Sequence, residues 1–97
     1  MNTIHIEPAQ NKQVLRLVQG AVQTEITRLE LALELARKRL APFEEKHHVT
    51  SEKFIATMTA EDLTGGDDEY VQWAGEYKLA QRLEEKLTQL KDLRFVN

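Results

Sequence analysis

The chain has no cysteine among its 97 residues. That excludes disulfides and thiolate metal sites, and it fits a reducing compartment. Glycine and proline are scarce, at four and two, so few positions can interrupt a helix. Only six residues are aromatic, and the balance of Leu, Ala, Glu, Gln, Lys and Arg belongs to helices rather than sheets. No apolar run approaches the ~20 residues that a membrane-spanning helix needs, so no membrane partner is expected. The opening "MNTIHIEPAQ" has no basic region followed by an apolar core. A signal peptide is therefore not expected, and a cytoplasmic location is. The length suits a single domain, residues 1–97, burying roughly 60–65% of its unfolded surface.

Positive charge is not in excess either. The net charge is −3, and its distribution is uneven. Residues 1–49 carry seven Lys/Arg against six Asp/Glu, residues 50–77 one lysine against seven acids, and residues 78–97 five cations against three acids. The middle is an acidic island, for which nucleic acid is a poor partner.

What is present is helical periodicity. Leu15, Val18, Val22, Ile26, Leu29, Leu33, Ala36, Leu40 and Phe43 are spaced by three or four throughout, and from Ile26 onward they form a heptad seam. Val14, Leu17, Ala21, Leu31, Ala32 and Leu35 widen the apolar surface to about half the circumference, as in a helix with two neighbours. The predicted long helix covers 9–46, with Pro42 expected to kink it or end it a few residues early. Before it lies an extended arm, 1–8, in which "TIHIE" alternates like a short strand that needs a partner. A short helix is expected over 50–58, with Thr50 as N-cap and Val49 and Phe54 at the positions of a hydrophobic staple. A loop over 59–66 follows, and a second long helix over 67–93 starts at the N-cap Asp67. The fold class is all-α: a long αα-hairpin with a short helix in its connection and a short N-terminal strand or arm.

The stretch "GGDDEYVQWAGEY" has two readings. Acids at a helix start satisfy free N–H groups and oppose the macrodipole, which explains Asp67, Asp68 and Glu69 first. They can also form part of an acidic recognition surface. Consecutive helix residues point ~100° apart, so these carboxylates do not converge on a metal, and no metal or cofactor is expected. Phe43, Phe54, Tyr70, Trp73 and Tyr77 all arrive at the loop end of a hairpin, where one small aromatic core is expected. His47 and His48 are adjacent and face different ways, unlike zinc ligands. The triplet Arg37–Arg39 is a weak nucleic-acid signal beside a solvated helix face. No nucleophile triad, phosphate loop or carboxylate pair stands out, and an enzyme is not expected.

The segment "FEEKHHVTSEKFIATMTAEDLTGGDDEYVQWAGEYKLAQRLEEKL", from Phe43 onward, resembles a family of small prokaryotic helical proteins. They share a phrase of the type FEEKYGMSSEEF, then an acidic-aromatic cluster, a Trp-containing helix and a leucine-rich tail. The similarity covers roughly half the chain. It implies an antitoxin-like protein without enzymatic activity, encoded beside a toxin. Two positions depart from the pattern. His48 stands where glycine is usual, which calls for a left-handed histidine or a different turn. Lys53 stands where glutamate would complete a capping box.

Three functions follow as expectations. The first is an interaction module in which Glu61, Asp62, Asp67, Asp68, Glu69 and Glu76 face a basic, nuclease-like toxin. The second is a dimeric DNA-binding regulator presenting Thr3 and His5 from the strand, which requires a turn near Gly20. The third is a purely structural coiled-coil homodimer. A homodimer is expected on separate grounds. The first helix outruns the last, leaving Val14, Leu15, Leu17 and Val18 without cover, and Ile4 and Ile6 are expected to join a two-stranded ribbon between chains.

Overall fold

A computed structural model describes residues 3–5, 11–57 and 68–96. In chain order these form β1 (Thr3–His5), α1 (Asn11–His47), α2 (Ser51–Thr57), α3 (Asp68–Lys91) and β2 (Arg94–Val96). The long helix α1 packs against α3, with the short α2 between them in sequence. The expected all-α hairpin with a short connecting helix and an N-terminal strand is therefore the observed architecture. The contacts group the chain into two compact units, 1–32 with 83–97, and 33–82.

In the 33–82 unit the heptad seam does what its period predicts. Leu33, Ala36 and Leu40 are buried, and Trp73, Ala74 and Ala80 are buried on α3. The helices run antiparallel, as two ion pairs across them record. Arg39 Nε lies 2.9 Å from Glu76 Oε2, and Lys46 Nζ lies 2.9 Å from Glu69 Oε2. Pro42 does not end α1, which continues to His47. Proline removes one backbone donor, but Phe43 and His47 beyond it are held by ring contacts to Trp73. Tertiary packing outweighs the local penalty.

The other unit contains the start of α1, the end of α3 and both strands. Among its described residues Leu29, Leu83 and Leu87 are buried, and Lys91 Nζ pairs with Glu30 Oε2 at 3.3 Å. One expectation is corrected here. α3 stops at Lys91 rather than near Leu93, and "RFV" at 94–96 is a strand. β1 pairs with this strand of its own chain, in parallel, with Thr3 opposite Arg94, Ile4 opposite Phe95 and His5 opposite Val96. The partner that β1 needs is thus supplied by the C-terminal segment, and an Ile4–Ile6 ribbon between chains is not required to explain it. Ile6 itself lies outside the described residues.

Candidate interaction site

The loop end of the 33–82 unit is built around Trp73, which is fully buried. Its ring stacks on Phe54 at 3.7 Å between centroids and 4° between planes, with Phe43 at 5.6 Å and 10° on the same footing. His47 stacks on Trp73 at 5.3 Å, and Tyr70 meets both Phe54 and His47 edge-on. The expected aromatic core is present, with Tyr77 half-buried one turn further along α3. His47 is the member that local reading missed. It sits four residues after Phe43, so extending the seam by one step would have found it.

A buried polar relay fixes this core. Trp73 Nε1 donates to Ser51 Oγ at 2.8 Å, and Ser51 donates to Glu44 Oε2 from both its hydroxyl and its backbone N–H, each at 2.8 Å. Glu44, from the end of α1, therefore satisfies a free donor in the first turn of α2. Thr50 acts as N-cap as predicted, its Oγ1 accepting from Lys53 N at 3.2 Å. The missing capping-box glutamate at position 53 has its counterpart in Glu44, reached through the fold rather than along the helix.

The turn between α1 and α2 takes the left-handed option. His48 has φ 54°, and Val49 N donates to Glu44 O at 3.3 Å, which is the bond that closes a helix with a left-handed residue after its last turn. A shallow cavity of about 370 Å³ beside it is lined by Ala41, Glu44, Glu45, His48, Val49 and Thr50.

The acidic phrase divides into two sets. Glu69 accepts from Lys46 at 2.9 Å and lies 3.2 Å from His47 Nε2, and these two contacts, that to Lys46 first, hold its carboxyl below the usual carboxylate range. Glu76 is engaged by Arg39. Both therefore tie α3 to α1. Asp68 is exposed at the first turn of α3, while Glu61, Asp62 and Asp67 lie outside the described residues. Among the described residues no group of three or more His, Cys, Asp or Glu could hold a metal ion, and no helix is long and apolar enough to cross a membrane.

Of the residues expected at a dimer contact, Val14 and Leu17 are exposed, and Ile4, Leu15 and Val18 are half-buried. Leu31, Leu35, Val71 and Leu79 are also exposed. Leu35 and Leu79 each directly precede a buried alanine on antiparallel helices, which places them on the same side of the pair. The turn near Gly20 that a strand–helix–helix regulator requires is absent, because α1 passes through Gly20 without a break.

Compared with known proteins, the chain matches no family model, no curated protein and no solved structure.

Proposed function

We propose that this protein is a non-enzymatic interaction module that captures a basic protein, an antitoxin-like neutraliser in the sense of the sequence resemblance. The observation that carries this reading is the division of the acidic phrase. Glu69 and Glu76 are matched by Lys46, His47 and Arg39, and so anchor the start of α3. Asp68 faces water beside them, within the 50–77 stretch that has seven acids to one lysine. An acidic surface on an anchored frame steers a cationic partner and fixes its register.

The test is to co-express the chain with the product of its neighbouring gene and measure association at several salt concentrations. An Asp67→Lys, Asp68→Lys variant leaves the Glu69 and Glu76 ties in place. It should associate more slowly and show a weaker salt dependence. Unchanged binding with an unchanged circular-dichroism spectrum would remove the acidic surface from the function.

A further inference from the structure

In the 33–82 unit the outer face of α3 is open. Asp68, Val71, Gly75, Leu79 and Arg82 are all exposed there, at successive intervals of three, four, four and three residues. At ~100° per residue they form one stripe, on the side away from the buried Trp73, Ala74 and Ala80. Val71 and Leu79 are 46% and 40% exposed. Gly75 lies midway between them, and a Cβ placed on it would meet nothing within 4 Å. Nothing described in this chain therefore requires glycine there, although glycine is a poor residue for a helix interior. The ends of the stripe are charged. Neither Asp68 nor Arg82 makes an ion pair or side-chain hydrogen bond among the described residues. Lys78 at the edge of the stripe, and Lys86 one turn beyond Arg82, share the sign of Arg82. Glu69 and Glu76 are turned toward α1, and Glu84 and Glu85 fall outside the stripe by the same angular step. One end is acidic and the other basic.

We propose that this face meets the same face of a second copy, antiparallel about a twofold axis at Gly75. The stripe is symmetric about that glycine: Val71 and Leu79 lie four residues to either side, and Asp68 and Arg82 seven. An antiparallel pair therefore sets Asp68 of each copy level with Arg82 of the other. It also sets Val71 level with Leu79, and Gly75 level with Gly75. Two ion pairs form from charges on the stripe itself, and the two helix dipoles oppose each other. A parallel pair would instead set Asp68 against Asp68 and Arg82 against Arg82. A partner of one charge sign would suit one end and be repelled at the other, so the face is complementary to itself. Glycine at the crossing lets the two helix axes come close, with Val71 and Leu79 closing on either side. The contact is isologous, using one patch twice. This inference does not rest on the basic partner proposed above, but both use Asp68, so the two associations would compete.

In sedimentation equilibrium over a rising concentration series, the apparent mass of the full chain should climb from 11.2 kDa toward twice that value. Asp68→Arg alone and Arg82→Asp alone should each stay monomeric, with circular dichroism confirming the fold. An equimolar mixture of the two should associate again, and so should a chain carrying both changes. Gly75→Leu should lose the dimer while helix content stays the same or rises, because leucine is the better helix former and meets no obstacle within the chain. That variant separates the contact from folding. Leu79→Glu should also lose it while leaving Asp68 available to a basic protein, which separates this contact from the proposed function. Direction is read by cross-linking, since the chain has no cysteine of its own. Val71→Cys copies mixed with Leu79→Cys copies should form mixed disulfides faster than Val71→Cys forms them with itself. A wild type that stays monomeric, a dimer indifferent to Gly75→Leu or to either single charge reversal, or faster Val71–Val71 cross-linking would each overturn the proposal. So would a monomer that instead holds a different protein through Leu79.

Discussion

Trp73 donates its indole N–H to the hydroxyl of Ser51 at 2.8 Å across 22 residues of sequence, and that one bond joins the start of α2 to the interior of α3. Ser51 is the buried polar residue among the described ones, 3% exposed. Every side of it is matched, by Trp73 as donor and by Glu44 as acceptor.

Removing the hydroxyl alone should be more harmful than its size suggests. Ser51→Ala leaves the indole N–H buried without an acceptor, at a cost of about 1–3 kcal/mol. Trp73→Ala removes the stack as well and should cost about 3–5 kcal/mol, a large share of the ~5–15 kcal/mol typical of a domain. Trp73→Phe keeps the stack and loses the donor, so it should fall between wild type and alanine. Urea midpoints of the three variants, closed as a double-mutant cycle with Ser51, give the coupling. A Trp73→Ala midpoint equal to wild type would show the ring is not packed.

His48 should be a removable weakness. A non-glycine residue in the left-handed region costs roughly 1–2 kcal/mol, and His48 sits there with φ 54°. Replacement by glycine recovers part of this and loses some through the freer unfolded chain. His48→Gly is expected to stabilise by about 0.5–1 kcal/mol, and His48→Val to destabilise. Thermal melts decide the sign, and a glycine variant less stable than wild type would contradict this account of the turn.

Much of this fold was legible because it is written in local period. The run Leu29, Leu33, Ala36, Leu40 is buried as its spacing demands, and Thr50 caps α2 as its position before "SEKF" predicts. What could not be read depends on residues far apart in sequence. β2 is three residues long, and its pairing with β1 joins opposite ends of the chain, so no window of sequence contains both. The acidic phrase was legible as charge but not as contact. Which acids face water depends on where Lys46, His47 and Arg39 arrive from α1, and only the packed hairpin decides that.

Glu69 ties stability to acid. Its folded pKa is lowered by the contacts to Lys46 and then His47. A depressed carboxylate contributes stability that is present above its unfolded pKa and is lost as pH falls through the folded value. The window therefore lies below the ordinary value of 4.5. Glu69→Gln should be less stable than wild type near neutral pH, and the difference should shrink as pH drops through that window. Melting temperatures of the two proteins between neutral pH and acid measure this, and a constant difference would mean the ion pair contributes nothing. Glu25, lowered by Arg28, titrates in the same direction, but it is common to both proteins and cancels.

Pro42 lies inside α1 and is exposed, so its ring supplies little packing to offset what it removes. Proline in a helix interior takes away one hydrogen-bond donor and crowds the preceding turn, for a penalty of about 3 kcal/mol relative to alanine. The site is close to the end of α1, where the aromatic core already fixes Phe43 and His47, so the local helix has some freedom to relax. Pro42→Ala is accordingly expected to stabilise the chain by about 1–3 kcal/mol. It should also raise amide-exchange protection in the last turns of α1, where a new N–H to Lys38 O bond becomes available. If Pro42→Ala instead lowers stability, a bend at Pro42 is needed to bring Phe43 and His47 onto Trp73. The same variant would then show weakened exchange protection in α2, which depends on Glu44 arriving at Ser51.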